Sequence, residues 1–348
     1  MPIKHRRQAP TQSDVARLAG VSQATVSAVV NGRAEGHRIP ADTERRVREA
    51  VRELGYVANP AARSLKSKRN RLIGVHTFES VFPISSRDFY HEFLIGVEEQ
   101  AVAEGHDLVL FTSTEDPDGK RQLYRDGINR LNVADGSVLL GVTHKPSDLA
   151  RLAAEGYPFV HVGRRDVPGA EIAWVGADYR SGTEALVASL AGLGHRRVAY
   201  LGTSHRMEAQ IDREDGYLAG CASMGIPPMP VFMKVQDLTP EWFDVTLAGG
   251  VTAFLAGAEA QADRIAELAR ARGLAVPSDV SVAVLVGTVG GPEVGRSWSA
   301  LGIPRNDMGR AAVRLLVEML TEPDIARDDQ VLLPCTQPDH STIAEAAR

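Results

Sequence analysis

The stretch from Thr11 to Asn31 constrains this chain most. Thr11 followed three residues later by Asp14 has the form of a capping box: a side-chain oxygen takes an orphan amide of the first turn, and a carboxylate sits at the positive end of the helix dipole. A helix is predicted to start there. Gly20, which adopts positive φ without steric cost, ends it, and Ser22 caps a second helix at once. Val15 and Leu18 on the first helix, and Val26, Val29 and Val30 on the second, lie at spacings of three and four residues, so each helix gains one apolar face against the other. Two short helices across a tight turn are a helix-turn-helix signature. The second helix is polar outward at Gln23, Thr25, Ser27 and Asn31, with small Ala24 and Ala28 between them. Side chains at the start of such a helix can read donor and acceptor patterns on base edges in a DNA major groove. The plainer reading of the same residues is a solvated face on a small helical hairpin.

Charge divides the chain into two objects. Residues 1–71 hold 15 Lys and Arg against 6 Asp and Glu, whereas residues 72–348 hold 24 against 38. A basic head can neutralise phosphates through counterion release, and an acidic body would be repelled by them. At 348 residues and 44% hydrophobic content, the chain has room for a small head and one or two larger domains. Its two cysteines, Cys221 and Cys335, are far apart, match no metal-ligand spacing and read as buried free thiols, which suits a reducing cytoplasm. The segment Met1 to Gln12 is charged and lacks an apolar run, and no stretch approaches 18 uninterrupted apolar residues, so neither secretion nor membrane insertion is expected.

Gly32 to Ile39, with two glycines and mixed charges, reads as a loop whose Arg33 and Arg38 could touch phosphates. Pro40 suits the first turn of a third helix, in which Val47, Ala50, Val51 and Leu54 recur at helical spacing until Gly55 stops it. Asn59 and Pro60 then open a helix of roughly eight residues, below the ~12 that are stable in isolation, so it forms only against a partner. Leu65 is the apolar residue among cations in this segment. It could wedge into a minor groove if a second copy lay beside it, or belong to an ordinary linker.

The body alternates strands and helices. Candidate strands are Leu72 to Phe78, Asp107 to Thr112, Ser137 to Val142, Phe159 to Gly163 and Ala173 to Ala177, with amphipathic segments such as Tyr90 to Ala103 between them. A second series runs Arg197 to Gly202, Val231 to Val235, Val251 to Ala256, Ser281 to Val286 and Gln330 to Leu333. Continuous apolar strands in βαβ alternation imply parallel sheets covered on both faces. Two series imply two sub-domains and a cleft where strand ends present loops to a ligand.

The string from Asp14-Val15-Ala16 to Val26-Ser27, the third helix ending in Leu54-Gly55-Tyr56, and Asn59-Pro60-Ala61-Ala62-Arg63-Ser64-Leu65 together resemble the lactose-repressor (LacI) family of bacterial transcription regulators. The resemblance continues to about Thr342. It implies a three-helix helix-turn-helix head with a hinge helix, followed by an α/β periplasmic-binding-protein-like core of two sub-domains with parallel sheets. By the same resemblance the candidate DNA contacts are Thr11, Ser22, Gln23, Ala24, Thr25, Ser27 and Asn31 in the head, and Asn59, Ala62, Leu65 and Lys66 in the hinge. Gln23 and Ala24 would meet bases, and Leu65 would pry open the central base step of an operator bound by a dimer. The stretch between Asn31 and Thr43 is a few residues longer than the commonest family version.

For the cleft, the resemblance points to Arg164 and Asp178 at strand ends, to Arg213 as an anchor for polar effectors, and to Phe78 and Glu79 as walls. Asp178 could equally be a helix cap, and Arg213, flanked by Asp212, Glu214 and Asp215, could be a solvated ion pair. Two positions depart from the family: Ala258-Glu259 stands where Asn-Asp is usual, and Val286-Gly287 where an Asp pair is usual. Losing that carboxylate weakens the grip on sugar hydroxyls. No Gly-x-x-x-x-Gly-Lys run and no Gly-x-Ser-x-Gly elbow occurs, and the ten histidines lack ligand spacing; Gly287, Gly290 and Gly291 read as a loop. No catalytic residue, cofactor or metal is therefore expected.

The expected organisation is a DNA-binding domain over 1–58, a hinge and linker over 59–71, and an effector-binding and dimerisation core over 72–348. The expected molecule is a cytoplasmic, nucleoid-associated homodimer that binds double-stranded operator DNA, most simply as a repressor, and answers to a small-molecule effector such as a sugar or related metabolite. The alternatives are a solute-binding protein, a regulator with no small-molecule effector, and an α/β cleft enzyme using Asp178 or a nearby histidine as base.

Overall fold

A computed structural model describes residues 10–30, 39–56, 69–78, 89–112, 121–141, 145–203, 206–286 and 298–347. The chain divides into two compact units, Met1–Asn70 and Arg71–Arg348.

In the first unit, α1 (Gln12–Ala19) opens with the capping box complete. Asp14 N–H donates to Thr11 Oγ1 (3.3 Å), and Thr11 N–H donates to Asp14 Oδ2 (2.9 Å). These bonds from Thr11, ahead of the nearby Arg17, hold the Asp14 carboxyl below its usual range. Gly20 ends the helix in the left-handed region at φ 66°, ψ 39°. Ser22 Oγ then accepts from Thr25 N–H (3.1 Å) and opens α2 (Gln23–Val30). The third helix, α3 (Ala41–Leu54), follows Pro40 as its N-cap and stops at left-handed Gly55. Val15, Ala16, Ala19, Val26, Val29, Val47 and Ala50 form one core. Burial of each valine contributes about 1.5–3 kcal/mol relative to exposure. Two positions correct the sequence reading. Leu18 is 46% exposed, because Ala16 and Ala19 beside Val15 set the inward stripe, and Ala28 is buried rather than on the outward face.

The second unit carries two parallel sheets. The first is ordered β13-β7-β6-β5-β1-β2, built from β1 (Leu72–Thr77), β2 (Asp107–Phe111), β5 (Gly136–Leu140), β6 (Phe159–Val162), β7 (Ala173–Asp178) and β13 (Gln330–Pro334). The second is β12-β11-β10-β8-β9, built from β8 (Val198–Gly202), β9 (Met229–Phe232), β10 (Ala253–Ala256), β11 (Ser281–Val284) and β12 (Ser299–Ala300). A short hairpin of β3 (Tyr124–Arg125) and β4 (Ile128–Asn129) precedes β5. The strand expected at Val231 to Val235 lies earlier, and Val235 begins a 3-10 turn. The strand at Gln330, expected in the second series, belongs to the first sheet beside β7, with Val331 opposite Val175.

Helices α4 (His91–Ala103) and α10 (Arg305–Thr321) cover one face of the first sheet, packing Phe93, Val97, Met308 and Leu316 on Ile73, Val138 and Val160. The other face packs Leu149 and Leu152 of α5 (Pro146–Ala154) on Phe78, Leu139, Phe159 and Trp174. The second sheet lies between α8 (Pro240–Ala248) with α9 (Glu259–Arg270) and α6 (Tyr179–Gly192) with α7 (Glu208–Met224). The chain passes between the sheets after β7, after β12 and after β13. Its tail closes on the second sheet, where His195 holds Ala344 O (3.0 Å) and Thr252 Oγ1 (2.7 Å).

Gly96 and Gly309 let α4 and α10 touch backbone to backbone: a Cβ on Gly309 would fall 2.2 Å from Phe93 O. Gly309→Ala is expected to lower stability by about 1–3 kcal/mol, since backbone cannot yield as a side chain can. Exposed Gly192 in α6 meets nothing within 4 Å, and Gly192→Ala should be neutral or stabilising by about 0.5–1 kcal/mol. Urea melts of the two variants check this pair.

Candidate nucleic-acid interface and ligand cleft

With Val26, Ala28 and Val29 committed to the core, α2 turns Gln23 and Ala24 outward, and both are exposed together with Ser22. Thr25 and Ser27 are half-buried. The Thr25 hydroxyl shares a hydrogen bond with Ser22 Oγ (2.9 Å), so these two hydroxyls preorganise the N-terminal turn. Its amides and the positive dipole end face the same way as Gln23. Thr11 is spent on its capping box. The same unit exposes Arg17, with a side chain 79% exposed, and the arginines of α3. Arg17, 45 and 48 each hold an acidic neighbour three or four residues away, which orients them at little energetic gain. Of the predicted contacts, Asn31, Asn59, Ala62, Leu65 and Lys66 lie outside the described residues.

The cleft of the second unit lies where the carboxyl ends of the two sheets meet, as strand polarity in parallel sheets requires. The contacts across it identify it. Arg164, after β6, donates Nε and Nη2 to Asp212 of α7 (3.0 and 2.9 Å), and Nη1 to Asp166 (2.7 Å). Arg165 donates to Gly141 O after β5 (2.7 Å) and lies 3.5 Å from Glu208 of α7, whose other oxygen accepts Asp166 N–H (3.0 Å). The Arg164 and Arg165 pairs therefore latch one sub-domain to the other. Arg164, predicted to face an effector, has its donors occupied by carboxylates.

Arg213 differs. It is 4% exposed, its guanidinium lies 4.1 Å over the Tyr179 ring, and its Nε has no hydrogen-bond partner. It makes no ion pair among the described residues, although Asp212, Glu214 and Asp215 flank it in sequence. A guanidinium keeps its proton, so this charge is buried with only a ring face to offset it. Asp178 is the N-cap of α6, where Oδ1 accepts Ser181 N–H (3.0 Å). Beside Asp178 and Arg213 is half-buried Cys335, whose thiol burial pushes up to about 11, leaving little thiolate at neutral pH. Glu259 begins α9, and burial, with Asp263, raises its carboxyl pKa against the opposing pull of Arg305. Val286 is half-buried against the core of the first sheet. Phe78, expected as a cleft wall, is 2% exposed just after β1 and packs with Leu139 and Trp174 under α5. Glu79, Gly287, Gly290 and Gly291 lie outside the described residues. Among the described residues no cluster of His, Cys, Asp and Glu could hold a metal ion, and no helix is long and apolar enough to cross a membrane.

Residues 11–59 match the family model of bacterial regulatory proteins, lacI family, and residues 187–342 match that of the periplasmic binding protein-like domain. The chain carries a lacI-family DNA-binding domain ahead of a periplasmic-binding-protein-like domain. It is a DNA-binding transcriptional regulator with a helix-turn-helix head and an α/β core. Among curated relatives, the HTH-type transcriptional regulator CelR of Thermobifida fusca is 29% identical over 324 residues, covering 91% of this chain and 93% of that protein. Catabolite control protein A of Priestia megaterium is 27% identical, covering 90% and 93%. Among solved structures, a CelR–cellobiose complex matches with a TM-score of 0.59 at 25% identity, over 94% of this chain and 98% of that one. The lac repressor dimer bound to operator and the anti-inducer ONPF has the same fold, with a TM-score of 0.70 at 21% identity, over 97% and 100%. The relatives are transcriptional regulators, not enzymes.

Against this lacI-family frame, the sequence reading missed His76 and Arg121. His76 on β1 is fully buried, and neither ring nitrogen has a hydrogen-bond partner. Burial first, and Arg121 second, depress its pKa to about 4. A histidine kept neutral in the fold stabilises fully above pH about 6.5, and that contribution is lost as pH falls towards 4, because the unfolded chain takes up the proton first. The loss should reach about 3 kcal/mol at pH 4. Urea midpoints measured from pH 7 to 4 should fall with acid in the wild type and fall less in His76→Phe.

Proposed function

We propose that this regulator represses transcription as a homodimer on a pseudo-palindromic operator, and that a small polar metabolite in the cleft sets its operator affinity. The exposed N-terminal turn of α2, with Gln23 and Ala24 outward on a basic head, carries the DNA-binding part. One such helix covers only a few base pairs, so specificity well above background calls for two copies. The lac repressor structure is a dimer on operator DNA, which supports the same assembly here. Ser22, Thr25 and Ser27 contribute phosphate or base contacts beside Gln23 and Ala24, and the segment over 59–71, with Leu65, joins the two domains.

Buried Arg213, lacking a carboxylate partner, supports a ligand in the cleft. CelR is solved with cellobiose. A sugar or related metabolite is the corresponding effector here, gripped by Arg213, Asp178 and Glu259 and held without turnover. Ligand binding changes the angle between sub-domains at the Arg164–Asp212 and Arg165–Glu208 latches, and the segment over 59–71 carries that change to the head. A cytoplasmic location, on the nucleoid, follows from this role.

Affinity of the full chain for duplex DNA should fall by about a thousandfold or more between ~50 and ~200 mM salt if six or more phosphates are neutralised. Ala24→Glu should abolish sequence preference and weaken binding at least about tenfold while leaving thermal stability unchanged, since it sets a carboxylate against phosphates on an exposed position. Fluorescence anisotropy with labelled duplex checks both, and affinity indifferent to salt and to Ala24→Glu would refute the DNA-binding surface.

A further inference from the structure

The carboxyl end of β1 holds a second buried cation with no carboxylate partner among the described residues. Arg121 is 7% exposed and strapped to that strand end: its N–H donates to Phe78 O (3.2 Å), and its Nη1 donates to Thr77 Oγ1 (2.7 Å). Its Nε has no hydrogen-bond partner, and it forms no ion pair among the described residues. Beside it lies His76, with both ring nitrogens unpartnered and its ring edge-on to Phe78 at 4.9 Å. Among the described residues no carboxylate pairs with Arg121 or His76. The cleft arginines Arg164 and Arg165 are built differently, and each faces a carboxylate.

The inventory of free groups is weighted to donors. Arg121 offers N–H donors only, the Thr77 hydroxyl, having accepted from Arg121, has its proton left to give, and neutral His76 offers one N–H beside one acceptor nitrogen. Buried donors left unpaired are costly, and a buried guanidinium that cannot shed its proton is costlier. A sugar hydroxyl would satisfy a donor but not the charge. A group with negative charge satisfies both. The position is the strand end from which ligands are approached in open α/β sheets. It is also separate from Arg213: β1 lies three strand spacings from β7 in the sheet, roughly 14 Å.

We infer that Arg121, His76 and Thr77 form an anion subsite at the floor of the cleft, which takes a phosphate or carboxylate group of the effector. This rests on the cleft being the effector site, and it narrows the effector from polar metabolites in general to acidic ones.

The test uses the full chain at constant ionic strength and measures binding by calorimetry and thermal shift. The probes are inorganic phosphate, acetate, a hexose, the corresponding hexose 6-phosphate and the corresponding hexonate. The expected result is saturable binding of an acidic probe, one per chain, weakened at least about tenfold by Arg121→Gln and partly restored in Arg121→Lys. Phosphate rather than carboxylate preference would show in the hexose 6-phosphate arm against the hexonate arm. Anions taken up by the basic head would be indifferent to Arg121, which separates that uptake from the subsite. His76→Phe gives a second variant should Arg121→Gln not fold, and it should weaken the same probe. The inference is overturned if no acidic probe saturates, or if affinity is unchanged in the variants. Duplex binding measured on the same samples tells the two readings apart: a chain that binds DNA but no acidic probe keeps its function as a regulator and loses this subsite.

Discussion

The left-handed turn at Gly20 sets where the second helix of the head can point, and through it which residues can meet another molecule. With φ at 66°, the chain reverses in three residues, and Ser22 restarts the helix without leaving its first amides orphaned. Val15, Val26 and Val47 then have one mutual arrangement that buries them all. The consequence is an exposed Gln23 and Ala24 on an unobstructed helix start, in a unit whose charge is positive. Local capping chemistry, a seven-residue core and an electrostatic bias all act towards one surface, which is the consistency expected of a sequence that specifies its fold.

The core of the second unit shows how arginines in one cleft acquire different tasks. Arg164 and Arg165 reach across to Asp212 and Glu208, and those pairs tie the sub-domains together at a cost in desolvation that good geometry offsets. Arg213 is as deeply buried, yet its counterpart is a tyrosine ring. A cation held in this way favours any bound group that accepts its hydrogen bonds. Because the chain crosses between sheets three times, neither sheet can shift without moving segments that belong to the other.

What could be read beforehand follows from how local each determinant is. The capping box at Thr11, the stops at Gly20 and Gly55, and the apolar runs of β1, β5 and β8 are decided within a few residues, and they were legible. Leu18 was misplaced because spacing alone does not tell which flank of an apolar stripe faces inward; the small Ala16 and Ala19 do. The strand at Gln330 reads correctly as a strand, but its partner is β7, more than 150 residues earlier, and no local pattern encodes that. The cleft was legible as strand ends, and Arg213 through family resemblance, but its lack of a carboxylate partner is not visible in a segment that reads Asp-Arg-Glu-Asp. Arg164 is singled out by resemblance at a strand end, and its partner Asp212, 48 residues away, is not visible in the local sequence. His76 and Arg121 gave no signal, since a histidine in an apolar strand and an arginine in a loop acquire meaning only when 44 residues of chain bring Arg121 to Thr77.

The most direct measurement is selection of bound duplexes from a randomised DNA library by the full chain, followed by sequencing. Two copies of one head, related by a two-fold axis, should enrich a pseudo-palindrome whose half-sites change when Gln23 is substituted. Recovery of duplexes with no common motif, or of a motif indifferent to Gln23, would contradict the account.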